Sequence, residues 1–141
     1  MAVSYTAVVN VDGEGRNGGR VLSSDGLLET SLAIPKELGG AGTATNPEQL
    51  LAAGWAACFL GAIRRAAAIR RIRLTSTTIT AEITLIHGDD DEFSLSATLN
   101  PVIGGVDQAT ATELAHAAHQ ICPYSKATRD NIPVTINATA A

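Results

Sequence analysis

The sequence predicts an α+β fold, with mostly antiparallel sheets packed around a long central helix, in a single domain covering residues 1–141. Three observations predict it. An alanine- and leucine-rich run from Pro47 to about Arg70 is far too long for a strand. Segments rich in β-branched residues stand on both sides of it. The resulting order, β-β-β-α-β-β-α-β, groups strands into runs and does not alternate them with helices as a parallel sheet would.

Ser4–Val11 (SYTAVVNV) reads as the first strand, Arg20–Ser24 as the second and Leu27–Ile34 as the third, which Pro35 ends. A glycine-rich turn, Asp12–Gly19, joins the first two and carries Arg16. Pro35–Thr45 is a long glycine-containing loop of the kind that often serves function. Asn46 is a helix cap, Pro47 suits the first helical position, and Glu48 faces the positive end of the helix dipole. The helix is apolar nearly all round through Ile63, which predicts burial in the centre of the structure. Gly54, Ala57, Cys58 and Gly61 form a stripe of small side chains along it, where another helix fits closely. Thr75–Ile86 and Phe93–Leu99 read as a hairpin around the polar turn His87–Glu92. Asp107 caps a second helix that runs to Ile121, and the stretch Cys122–Asn131 reads as loop. Ile132–Asn137 is the last strand.

Composition excludes several classes. With 45% hydrophobic and 17% charged residues the chain is too apolar to be disordered. A net charge of −4 argues against coating nucleic acid. Five of the ten basic residues (Arg64, Arg65, Arg70, Arg71, Arg73) fall at the end of the long helix, where cations complement the dipole. The N-terminus lacks a basic segment followed by an apolar core, and the apolar run Leu50–Ile63 is too short to span a bilayer. A cytoplasmic protein is therefore expected, with no membrane partner and reduced thiols.

Two cysteines carry the candidate chemistry. Cys58 lies mid-helix, where a small core-filling residue is the plain alternative. Cys122 lies at a helix end, in a segment expected to move, so it can swing in and resolve an oxidised Cys58. A helix C-terminus disfavours a thiolate, which makes Cys58 the preferred nucleophile, given an outside cation from Arg16 or Arg20. Ordinary turn arginines and a dipole-favoured acid remain the plain readings of Arg16, Arg20 and Glu48. His116, His119 and Cys122, with Cys58, can be drawn as a zinc site, but the spacing fits no compact finger and no metal is expected. Asp89–Glu92 lacks the pattern of a calcium loop, and neither a P-loop nor a Gly-x-Ser-x-Gly elbow is present.

Pro35-Lys36-Glu37-Leu38-Gly39-Gly40, Thr45-Asn46-Pro47-Glu48-Gln49-Leu50, Ala56-Ala57-Cys58-Phe59-Leu60-Gly61 and Ala117–Ser125 (AAHQICPYS) with Ala127-Thr128-Arg129 closely resemble the organic hydroperoxide resistance proteins, a branch of the OsmC-like superfamily. The resemblance covers essentially the whole chain. It implies an intertwined homodimer and a thiol-dependent peroxidase that reduces organic hydroperoxides to alcohols. It implies no bound cofactor, and electrons returned by an external dithiol, the dihydrolipoyl groups of lipoylated proteins. By that resemblance Cys58 matches the peroxidatic cysteine, Cys122 the resolving one, and Glu48 the acid that holds a catalytic arginine. The family's arginine usually lies in a Gly-Arg-Asp-Gly-Arg turn. Here the turn is Gly15-Arg16-Asn17-Gly18-Gly19-Arg20, one residue longer, so that Arg16 is the better match and Arg20 competes. Ten residues separate Glu48 from Cys58, about 15 Å along a straight helix, so either an arginine bridges them or one subunit completes the other's site.

Overall fold

The computed structural model describes all residues, 1–141, and divides into two compact units, Met1–Leu50 and Leu51–Ala141. The first unit holds a three-stranded antiparallel sheet in the order β1 (Val9–Gly13), β2 (Gly19–Ser23), β3 (Glu29–Ser31). Val11 lies opposite Val21, and Arg20 opposite Ser31. The expected first strand starts later, at Val9, because β2 runs out of partners there. Val9 pairs with Ser23, and past it Ser24 N–H closes the ladder on the Val8 carbonyl as the chain turns. The turn is fixed by Asp25, which accepts from the Ser23 hydroxyl and the Leu27 amide. The expected third strand is also shorter. The Leu32 amide makes the last bond to β2, at the Gly19 carbonyl, Leu32 also bridges Thr45, and Lys36–Leu38 forms one 3-10 turn inside the long loop.

Helix α1 (Pro47–Ile69) begins in this unit. Asn46 caps it by accepting from the Gln49 amide at 2.9 Å, so the free N–H groups of the first turn find a partner. From Leu51 onward the helix belongs to the second unit. There it packs with β4 (Ser76–His87), β5 (Phe93–Gly104), α2 (Gln108–Ile121), α3 (Pro123–Thr128), β6 (Val134–Ile136) and β7 (Thr139–Ala140). β4 and β5 form an antiparallel hairpin that stays in register from His87–Phe93 to Ser76–Gly104. β6 and β7 both run parallel to β5.

β5 continues five residues past the expected end, through Pro101, and this proline explains the split edge of the sheet. Ala97 N–H donates to Pro133, Asn137 N–H to Leu99, and Ala141 N–H to Ile103. Odd-numbered residues of β5 thus face the β6–β7 side. The next donor due on that side is the amide of residue 101, which proline lacks. The ladder breaks there: β6 ends at Ile136 and β7 resumes at Thr139.

The core of the second unit is built on one face of α1. Trp55, Phe59, Ala62, Ile63, Ala66 and Ala67 recur at helical spacing and are buried with Leu99 and Ile103 from β5 and Leu114 and Ala118 from α2. The helix is therefore not buried all round, as its composition predicts. Ala53, Ala57 and Gly61 stay exposed on another face, because one sheet and one helix cover one side only. At 23 residues α1 is long and apolar enough to cross a membrane, longer than the apolar run alone suggests. Its large side chains pack into the unit as those of a core helix do. α2 starts as expected, with Asp107 accepting from the Thr110 amide at 2.8 Å.

Candidate active site

Two constellations of candidate residues form, one in each unit. In the first unit the β1–β2 turn presents Arg16 from a 3-10 turn, Gly15–Asn17. Gly13 and Gly15 adopt positive φ, and a Cβ at Gly19 would lie 2.4 Å from the Asp12 carbonyl oxygen, so this turn closes only with glycine at that place. Arg16 Nη1 and Nη2 donate to the two carboxylate oxygens of Glu48 at 2.8 and 2.6 Å. This is a two-pronged pair, the geometry that guanidinium matches and ammonium does not. Arg16's fork holds the Glu48 carboxyl below the usual carboxylate range, against the opposing effect of burial. Arg20 goes elsewhere: its guanidinium pairs with Glu29 on the exposed surface of the same sheet. Glu48 thus takes Arg16, and the competing arginine has its own acid.

In the second unit Cys58 of α1 and Cys122 lie with their sulfurs 3.3 Å apart, both as free thiols. Cys122 is completely buried, whereas Cys58 is half-buried and reaches solvent. Burial pushes the Cys58 thiol above its ordinary value, the Cys122 sulfur adds to this, and a hydrogen bond from the Tyr124 backbone N–H works against it. The helix around Cys58 supplies no cation of its own.

The segment of Cys122 departs from the expectation. It is not a loop. Cys122 has extended backbone angles (φ −60°, ψ 122°) and joins two helices, closing α2 and opening α3. Its N–H donates to Ala118 and its carbonyl accepts from Lys126, so both backbone groups are engaged. Pro123 at the first position of α3 was the signal for this helix, since proline fits there. Around the pair, Trp55 Nε1 donates to the Ser125 hydroxyl at 3.3 Å, with both side chains fully buried. The ring of Tyr124 packs on Gly54, where a Cβ would sit 3.1 Å from the ring, a tight fit. Arg129 donates to the His119 carbonyl at 2.6 Å. Trp55 and Phe59 are core residues, as packing alone predicts.

His116 is exposed, and His119 lies beside Phe59 with its Nδ1 buried and unpartnered. Burial, then the charges of Arg129 and His116, keep His119 below the ordinary histidine value. No three of the His, Cys, Asp and Glu side chains converge as a metal site requires, so the drawn zinc set does not assemble.

A family model described as OsmC-like protein matches residues 40–137, the stretch that contains Glu48, Cys58 and Cys122. The organic hydroperoxide resistance protein of Xanthomonas axonopodis pv. citri (strain 306) is 44% identical over 135 residues, covering 95% of this chain and 94% of that protein. The crystal structure of an organic hydroperoxide resistance protein from Legionella pneumophila superposes with a TM-score of 0.91 at 42% identity, over 98% of this chain and 99% of the other. One from Elizabethkingia anophelis, with thiocyanate bound, does so with a TM-score of 0.91 at 38% identity over the whole of both chains. The α+β fold expected from the sequence is thus the fold of these proteins.

Proposed function

The chain belongs to the OsmC-like family, and we propose that it is a cytoplasmic thiol peroxidase that reduces organic hydroperoxides to alcohols. The sulfur pair carries this reading: two free thiols 3.3 Å apart, of which only Cys58 reaches solvent. An accessible thiol is the one that meets a substrate, and a sealed neighbour is the one that meets the product.

The chemistry runs in three steps. The Cys58 thiolate attacks the terminal oxygen of the hydroperoxide; the O–O bond breaks, the alkoxide takes up a proton and leaves as alcohol, and Cys58 becomes a sulfenic acid. The Cys122 thiol displaces hydroxide from that sulfenic sulfur, giving water and a disulfide. An external dithiol, a dihydrolipoyl group of a lipoylated protein, then reduces the disulfide by exchange and leaves oxidised. The protein needs no resident cofactor for this cycle.

By the family resemblance, Arg16 is the arginine that this chemistry calls for. Lowering a thiol pKa by about three units raises the thiolate fraction at neutral pH by roughly 30-fold. A Brønsted slope of about 0.4–0.5 returns most of that as lost nucleophilicity. Thiolate formation alone therefore does not make a fast peroxidase. A guanidinium donating to the oxygens as charge builds on the leaving alkoxide adds about 3–4 kcal/mol. Glu48, gripping Arg16 at both nitrogens, aims it. The working form is a homodimer. Ala53, Ala57 and Gly61 on α1, and Val9, Val11 and Leu22 in the first unit, remain exposed in one chain and support cover by a second copy.

The test is turnover of tert-butyl hydroperoxide and hydrogen peroxide with dihydrolipoamide as reductant. The organic peroxide is expected to be preferred and consumed over many cycles. Cys122→Ser should consume about one equivalent and stall. A chain oxidised once without turnover would instead be a redox sensor, and full turnover by Cys58→Ser would overturn the assignment.

A further inference from the structure

The buried contact between Trp55 and Ser125 has no part in the three steps above, yet it lies next to the residues that perform them. Ser125 follows Cys122 by three positions in α3, and Trp55 precedes Cys58 by three in α1, one helical turn away in each case. The indole N–H and the hydroxyl are sealed from solvent, and the Ser125 oxygen is the indole's only hydrogen-bond partner. Two polar groups in an apolar core cost more than they return if their bond is lost, whereas apolar side chains carry no such cost. Stability alone does not call for this pair. What the bond does is tie α3 to α1 at the level of the two sulfurs. Arg129, reaching back to the His119 carbonyl, and Tyr124, seated on Gly54, hold the same short helix at its end and at its start.

The held object is Cys122. With its N–H and C=O both engaged and its side chain buried, the thiol has no loop with which to travel. It needs none. A disulfide bond is about 2.05 Å long, so the two sulfurs need approach by little more than an ångström. A sulfenic acid at Cys58 has two fates. It condenses with Cys122, releasing water, or a second hydroperoxide transfers an oxygen to it, releasing alcohol and leaving a sulfinic acid that exchange cannot reduce. The outcome is set by how much of the time Cys122 is in place.

We propose that Trp55 and Ser125 are positioning residues that hold the resolving thiol against Cys58, so that the sulfenic acid closes to the disulfide before a second peroxide reaches it. This rests on the peroxidase reading, and the experiment separates the two. Trp55→Phe, Ser125→Ala and the double variant are compared with the unaltered protein. The double variant leaves neither group unsatisfied, and its melting temperature should fall only by the cavity that phenylalanine leaves in place of the buried indole. Each protein receives excess tert-butyl hydroperoxide, and the sulfinic and disulfide fractions at Cys58 are read by mass after alkylation.

The single and double variants should give a sulfinic fraction per turnover about fivefold larger, the population shift one ordinary hydrogen bond supports. The rate of the first oxidation should not fall, because that step does not consume the Cys122 thiol and contact with it only holds the Cys58 thiol up. In parallel, the disulfide is equilibrated with dithiothreitol, where the same loosening shifts the constant toward the reduced dithiol by a similar factor. Unaltered sulfinic fraction and dithiothreitol constant in the double variant would overturn the proposal. If the unaltered protein consumes no peroxide, the peroxidase reading fails while the dithiothreitol equilibrium still decides whether the bond positions Cys122.

Discussion

The two candidate sites solve opposite problems. The Arg16–Glu48 pair is a matter of charge: a guanidinium and a carboxylate, both partly in water, lock face to face through two short hydrogen bonds. The Cys58–Cys122 pair is a matter of packing: two weakly polar groups are placed by helix geometry and a sealed core, with one sulfur left open. The first depends on protonation and tolerates water. The second depends on exclusion and is spoiled by slack. The proposed peroxidase would draw on both a donor for the breaking O–O bond and a thiol beside a thiol, and the chain holds the two candidate pairs in separate units by separate means.

Substitutions that attack one site and spare the other break this comparison in order of effect. Cys58→Ser is expected to abolish turnover in the coupled peroxide assay while leaving the far-UV circular dichroism unchanged. Arg16→Lys keeps the charge but loses the fork, and kcat/KM for the hydroperoxide should fall by about 100-fold, the loss of one transition-state donor. The same site is probed by the pH dependence of iodoacetamide alkylation. Cys58's own surroundings push its thiol up. If Arg16 reverses this, the alkylation limb lies below the ordinary thiol value in the unaltered protein and moves above it in Arg16→Ala. Identical limbs would remove Arg16 from the site.

Glu48→Gln should lower kcat/KM by about tenfold through misaimed arginine and cost at most about 1 kcal/mol of stability, as partly exposed pairs do. Because the folded state holds Glu48 below the usual carboxylate value, that stability is complete above about pH 5 and disappears as pH falls through the folded pKa. The melting-temperature gap between Glu48→Gln and the unaltered protein should therefore close in acid. The smallest effect is at His119. Its folded pKa is depressed by burial, so the folded state favours the neutral ring. Stability is full above the ordinary value of about 6.5 and declines as pH falls below it. His119→Gln should flatten the part of the melting profile that begins near pH 6.5, and an unchanged profile would show that the ring does not titrate there.

The sequence was legible where local signals carry the structure. Asn46 and Asp107 mark their helix starts, and the alternation from Thr75 to Ile86 gives the strand of the long hairpin, because side-chain caps and period-two burial are local facts. Residue types pointed to the two cysteines and the family resemblance to Arg16 and Glu48, but spacing alone could not choose Arg16 over Arg20 for Glu48. That choice is made by a turn that points one arginine at Glu48 and the other across the sheet at Glu29. β-propensity overstates the strands of the first unit, since in Ser4–Val8 it does not supply a neighbour to pair with. α3 is hard to read because six residues carry little periodicity, although Pro123 announces it. The Trp55–Ser125 bond joins residues 70 positions apart, and no local rule reaches that far.

Pro101 has a consequence beyond the count of strands. An outer strand with every amide free is a template on which further chains can grow. Because one pyrrolidine ring interrupts the ladder, this margin of the sheet is left as fragments of three and two residues, too short to recruit another molecule. A valine in its place would restore the missing donor and let residues 134–140 pair with β5 as one continuous strand.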